Sequence, residues 1–321
     1  MSKWLHTMGL TLWLGLVPVV SCNQRLNSSV PQSPDTLQIV VSIPPQQYFV
    51  ERVGGEYVKV DVMAGPGDEP HTYEPKPEKL RTLSQADAYL RIRVDFEAAW
   101  MDRIAAVNPD MLIVDTTEGI ERMPMMTHAH SGEGNTEAAT QTGEVEHPDP
   151  HIWLSPRLVK IQSQTIYDAL AQLDPEHEGD YRTNLERFLA DIDALDAEIQ
   201  ATLADMATRK FMVFHPAWGY FAHDYDLEMI PIEVGGTEPS ATELAALIKA
   251  ARADNIKVIF AQPSFSTDNA ETIAQEIDGE VLLIDPLARN WLENLRTVAG
   301  TFAGKLRQGG GSVREPVAFE W

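Results

Sequence analysis

The chain has 321 residues, of which 44% are hydrophobic and 23% charged, a composition suited to a folded chain with one large domain or two smaller ones. Its formal net charge of −23 excludes a nucleic-acid partner, because phosphate contacts need clustered Lys and Arg. An acidic surface of this size attracts cations but identifies no ligand.

The first 22 residues differ from the rest. Lys3 supplies a short positive start, and Leu10 to Val20 is almost unbroken in apolarity. A run of about eleven residues is too short to span a membrane and suits the core of a signal peptide. It ends at Val19-Val20-Ser21-Cys22, and Cys22 is the single cysteine, so no internal disulfide can form. A small residue before a lone Cys resembles the lipobox of bacterial lipoproteins, although Val19 stands where Leu is usual. The expectation is a signal peptide over 1–22, lipidation at Cys22, and an extracytoplasmic protein held to a membrane by that lipid. Residues 23–36, rich in Ser, Asn, Gln and Pro, read as a tether.

Short apolar runs then alternate with helical patterns. Strands are predicted at Leu37–Ile43, Val58–Met63, Ala88–Ile92 and Met111–Asp115, with helices at Gln46–Val53, Glu78–Ser84 and Phe96–Val107 between them. Strands separated by helices imply parallel pairing in a doubly wound α/β sheet. Residues 123–150 break the pattern: they hold His128, His130 and His147 with five acidic residues and no Lys or Arg. That loop reads either as a weak collector of metal or as an inert solvated segment.

From His177 to Ala207 the apolar residues Tyr181, Leu185, Phe188, Ile192, Leu195, Ile199, Leu203 and Met206 keep a spacing of three or four. This predicts one long amphipathic helix. Beyond it the element order repeats. Strands are predicted at Lys210–Phe214, Leu227–Ile232, Lys257–Ala261 and Val281–Asp285. Helices are predicted near Tyr220 and at Ala241–Arg252 and Thr267–Ile277. Two similar α/β lobes result, over 37–176 and 208–308, joined by a linking helix over 177–207 and followed by a tail over 309–321.

Four of the nine histidines stand beside prolines that restrict the backbone, and apart from His147 in the acidic loop they share unusually punctuated contexts. These three are His71 in Glu69-Pro-His-Thr-Tyr-Glu-Pro75, His151 in Asp149-Pro-His-Ile-Trp-Leu-Ser-Pro156, and His215 in Phe214-His-Pro-Ala-Trp-Gly-Tyr220. A fourth polar group, Asp285, ends the last predicted strand in Ile284-Asp-Pro-Leu287. All four fall at or beyond the carboxyl ends of predicted strands, the edge where open α/β sheets bind ligands. Two come from each lobe, so a shared ligand would lie in the cleft. Imidazoles with a carboxylate suit Zn²⁺. Glu74 and Asp149 are candidates to accept hydrogen bonds from ligand imidazoles. Trp153, Trp218, Tyr73 and Tyr220 read as packing around the site, and His177 and His223 as exposed helix positions.

These motifs, together with Thr237-Glu-Pro-Ser240, resemble the ZnuA/TroA-like zinc and manganese solute-binding proteins of ABC importers, from about Leu37 to Leu306. The resemblance implies two four-stranded, mostly parallel lobes flanked by helices and joined by one long rigid helix. It places the metal ligands on His71, His151, His215 and Asp285. It implies Zn²⁺ as cargo, with Mn²⁺ as the alternative, and partners in an ABC permease and its ATPase; a monomer is expected. Manganese-type relatives commonly carry Glu at the position of His215, so imidazole there favours zinc. Zinc-type relatives often have a longer, His-richer loop than residues 123–150. A His₃ zinc hydrolase is the competing enzymatic reading, and Asp285 separates the two: bound to metal, it closes the site to an activated water. A surface adhesin or metal sensor is a third reading.

Overall fold

The computed structural model of the chain describes residues 36–125, 148–233, 239–263 and 267–306, together with Met1 and Thr237. The expected signal peptide apart from Met1, Cys22, the expected tether apart from Thr36, most of the acidic loop and the tail lie outside the described residues. Among the described residues no helix is long and apolar enough to cross a membrane.

The first lobe holds strands β1 (Leu37–Val41), β2 (Val58–Val62), β3 (Ala88–Arg91) and β4 (Leu112–Asp115) in the order β2-β1-β3-β4, every pair parallel. Helices α1 (Pro44–Gly54), α2 (Pro77–Leu83) and α3 (Asp95–Val107) make the crossovers. The second lobe repeats the design with β5 (Lys210–Val213), β6 (Glu228–Pro231), β7 (Val258–Ala261) and β8 (Glu280–Leu283) in the order β6-β5-β7-β8, again all parallel. Its crossovers are α6 (Gly219–Asp224), α7 (Ala241–Ala253) and α8 (Asp268–Glu276). Each predicted strand appears within a residue or two of its expected bounds. Registers such as Val41 opposite Val62 and Leu90 set the carboxyl ends of neighbouring strands level. The loops that follow them are thereby gathered on one edge of each sheet.

Two helices were not anticipated. Helix α4 (Pro156–Leu173) opens on a Ser155 hydroxyl that accepts from the Leu158 N–H, with Pro156 at its first position. Helix α9 (Trp291–Leu306) closes the second lobe. Between them α5 (Glu178–Thr202) spans 25 residues, or about 37 Å. It ends five residues short of the predicted bound, and Leu203 and Met206 still pack from the turn beyond it.

The buried stripe of α5, from Tyr181 through Phe188 to Ile199, packs against α1 and α4 on the first lobe's side and α9 on the other. One hydrophobic core therefore runs through both lobes. Where they meet, Phe49 of α1 stands edge-on to Trp291 of α9, with ring centroids 5.2 Å apart, and beside Phe188 of α5 at 6.0 Å. Each such aromatic pair adds about 0.5–1.5 kcal/mol beyond its area burial. A second, smaller core around Met212, Ile259 and Ile273 fills the outer part of the second lobe.

Candidate metal centre

The three proline-flanked histidines come from separate loops at the carboxyl edges of the sheets. His71 lies in the loop between β2 and α2, His151 just before a short 3₁₀ turn at Ile152–Leu154, and His215 two residues beyond β5. Their ligand atoms lie within 4.8 Å of one another. The Nε2 atoms of His71 and His215 are 3.2 Å apart, and those of His215 and His151 are 3.3 Å apart. Two nitrogens about 2.05 Å from a zinc ion at the tetrahedral angle stand roughly 3.3 Å from each other. The spacing thus matches that of imidazoles sharing one ion.

Each imidazole is turned by a carboxylate behind it. Asp95 Oδ2 lies 2.8 Å from His71 Nδ1, Asp149 Oδ1 2.7 Å from His151 Nδ1, and Glu233 Oε2 2.7 Å from His215 Nδ1. An ionised carboxylate only accepts, so each Nδ1 carries its hydrogen and each Nε2 lone pair faces the common point. Such partners fix ring orientation and raise ligand basicity. Asp149 is the carboxylate expected from the sequence, whereas Glu74 is exposed and is not one of the three. Asp95 and Glu233 were not anticipated. They follow β3 and β6: β6 lies beside β5, which leads to His215, and β3 is separated only by β1 from β2, which leads to His71.

The surroundings give the histidines different proton affinities. Burial drives the His151 pKa down to about 4, and the charge and hydrogen bond of Asp149 offset this only in part. Burial also pulls His71 down, but its bond to Asp95 and the charges of Glu69, Asp95 and Glu233 outweigh it, and its pKa stands above the usual 6.5.

Asp285 does not join the three histidines. Its Oδ1 accepts the Leu287 N–H at 2.8 Å, and burial raises its pKa against that bond. Its neighbours Pro286 and Leu287 instead help to line a cavity over the imidazoles, with Glu69, Val94, Trp153 and Gln262. The volume is ≈ 10 Å³, room for one water-sized body. The carboxylate oxygen seen near an Nε2 is Glu69 Oε1, 3.8 Å from that of His71.

The aromatic residues brace the cleft. Trp153 Nε1 donates to Pro286 O at 2.7 Å and Trp291 Nε1 to Trp153 O at 2.6 Å, which ties the first lobe to the second beside His151. Tyr220 donates from the second lobe to Asp149 O at 3.0 Å and accepts the Met123 N–H at 3.0 Å.

Two parallel-sheet lobes on a shared helix, with three converging imidazoles in the cleft, define a metal-binding solute receptor. The family model described as "Zinc-uptake complex component A periplasmic" matches residues 39–304, and the chain belongs to that family. It is 27% identical over 287 residues to the high-affinity zinc uptake system protein ZnuA of Bacillus subtilis (strain 168), covering 86% of this chain and 88% of that protein. A solved structure described as "Crystal structure of ZnuA" shares 46% identity with a TM-score of 0.78, covering 85% of this chain and 100% of the other. A ZnuA deletion mutant described as having zinc bound shares 45% identity with a TM-score of 0.76, over 85% and 98% of the two chains.

Proposed function

We propose that the chain captures one Zn²⁺ on His71, His151 and His215 and passes it, as cargo, to an ABC permease driven by its ATPase. The observation that carries this reading is the pair of Nε2 separations, 3.2 and 3.3 Å, with a carboxylate behind every Nδ1. Neutral imidazoles also suit zinc better than the harder Mn²⁺. The fourth position falls to Glu69, whose carboxylate is already beside His71, or to Asp285 once the loop after β8 shifts. A cavity of ≈ 10 Å³ directly over the imidazoles suits capture of a single ion. Outside the cytoplasm, the lipid on Cys22 would keep this receptor beside its permease; a Cys22→Ser chain that still partitions with membranes would refute that anchor.

The test is a competitive titration of metal-stripped protein with Zn²⁺ and Mn²⁺ side by side. One tight zinc per chain is expected, far above manganese, with a loss on the order of a hundredfold or more in His215→Ala. Equal or preferred manganese would overturn the metal. Comparing Glu69→Ala with Asp285→Ala decides the fourth ligand, because the true one weakens zinc and the other does not.

A further inference from the structure

Glu97 occupies the third position of α3 and is wholly buried, 0% exposed. An ionised carboxylate in such a place is costly unless donors surround it, and here they do. Its Oε2 accepts the Arg93 N–H at 2.7 Å and its Oε1 the Ile92 N–H at 3.0 Å. The Ser42 hydroxyl donates to Oε1, Tyr89 Oη lies 3.4 Å from the same oxygen, and Arg91 Nε is 3.5 Å from Oε2. Both backbone donors belong to the turn that leads into α3, where Arg93 holds φ at 61°, a left-handed conformation unfavourable to a residue with a side chain.

That turn delivers the parts that seat His71. Val94 lines the metal cavity, Asp95 meets His71 Nδ1 at 2.8 Å, and the Phe96 N–H donates to Pro70 O at 3.3 Å. The Phe96 ring stands edge-on to Tyr73 with centroids 5.2 Å apart, holding the far side of the same loop. Three contacts from consecutive or adjacent residues therefore converge on the segment 70–73, and all depend on one strained turn.

We infer that Glu97 is a positioning residue for the metal: its carboxylate locks the 92–94 turn so that Asp95 and the Phe96 N–H hold His71 in ligating pose, a role that rests on the zinc reading above. The chemistry of the side chain makes this specific. Two backbone N–H groups take one oxygen each, so both oxygens must be acceptors. Glutamine has the same shape but only one oxygen, and in either orientation its NH₂ faces a backbone N–H. One of the two donors then loses its partner and the turn loosens.

The experiment is a zinc titration, with a calibrated competing chelator, of wild type, Glu97→Gln, His71→Ala and the double variant, each with its thermal midpoint. Glu97→Gln is expected to weaken zinc about tenfold, the low end for loss of an outer partner. In the His71→Ala background it should change the remaining affinity by less than about twofold, because the group it positions is gone. A lowered midpoint with unchanged zinc affinity would mean a merely structural role and overturn the inference. So would an equal loss in both backgrounds. Should Glu97→Gln fail to fold, amide hydrogen exchange on wild type decides: Ile92 and Arg93 must exchange slowly, and rates typical of an open loop would overturn the lock. A wild-type chain that binds no zinc would overturn the underlying reading as well, and it shows in a different sample.

Discussion

In the proposed site zinc and protons would compete for the same Nε2 atoms, and the carboxylate behind His71 should make that competition visible. Zinc-bound His71 carries no proton on Nε2, whereas the metal-free imidazole takes one up as pH falls, so affinity must drop on acidification. With its pKa raised above the ordinary histidine value, His71 is largely protonated at pH 5.0 in the metal-free protein. An imidazole at the ordinary value already loses about 30-fold in metal affinity at pH 5.0 through proton competition, and the raised value of His71 makes the loss at this residue larger. His151, near 4, is only about one-tenth protonated at pH 5 and adds almost nothing. Replacing Asp95 by Ala should do two opposed things. It removes the hydrogen bond that orients the ring, weakening zinc about tenfold at pH 8. It also removes the first of the groups that hold the proton, and the downward pull of burial gains weight, so competition at low pH lessens. Asp95 is 63% exposed in its side chain, so solvent screens its charge, and Glu69 and Glu233 remain; the pKa falls without collapsing. The affinity ratio of wild type to Asp95→Ala should therefore be largest at pH 8 and narrow toward pH 5. Chelator competition at half-unit steps, with the chelator's own pH dependence calibrated, measures it. A ratio that is constant or widens with acid would refute the role given to Asp95.

Gly219 leaves room for the carboxylate behind His151: a Cβ there would lie 3.0 Å from Asp149 Oδ2, while Oδ1 is held by the His151 N–H and Nδ1. Gly219→Ala should push Asp149 and cost roughly threefold to tenfold in zinc affinity with far-UV circular dichroism unchanged; undiminished binding would show that the carboxylate can move freely. Trp153→Phe strands the buried Pro286 carbonyl and should lower stability by about 1–3 kcal/mol in urea unfolding, and a loss below about 0.5 kcal/mol would show that the interlobe bond adds little. Free zinc at a hundred times its dissociation constant should stabilise the folded chain by about 2.7 kcal/mol, reversibly with a chelator and not in His215→Ala; calorimetry with and without metal measures this.

Most of the fold was legible because its strands are short β-rich runs bounded by turns, as in Lys210–Val213 and Val258–Ala261. Helix α4 escaped because Gln162 and Ser163 occupy buried positions on its inner face and break the apolar stripe, although Ser155-Pro156 announced its start. Helix α9 hid for a similar reason, since Ala299 and Ala303 bury small side chains in a stripe otherwise carried by Leu295, Val298 and Phe302. His177, read as an exposed helix position, instead sits in a 3₁₀ turn, stacked on Tyr57 with centroids 3.9 Å apart and bonded to Asp174. At the site, one adjacent proline marked each of the three histidines, and Asp149 was visible because it lies two residues from His151. Asp95 and Glu233 are 24 and 18 residues from the imidazoles they turn. That distance is closed only by parallel pairing of β1 with both β2 and β3, and of β5 with β6, which no local pattern displays.

The same pairing explains the charge of the centre. Three carboxylates stand behind three imidazoles, with Glu69 at the rim, so the cleft without metal concentrates negative charge in a partly dry space. A dication is the natural complement, and the acidic chain around it draws cations from a distance. Yet the sites are not equal. His151, deeply buried, is held neutral and ready for metal, whereas His71, nearest the rim and facing most of the acidic groups, keeps the strongest hold on a proton. In the proposed site, zinc entry would therefore amount to exchange of a dication for a proton at His71, beside a His151 that is already neutral. On the proposed reading, a movement that lets His71 regain its proton would remove one ligand first, and His71 is the ligand whose seat depends on the turn that Glu97 is proposed to lock.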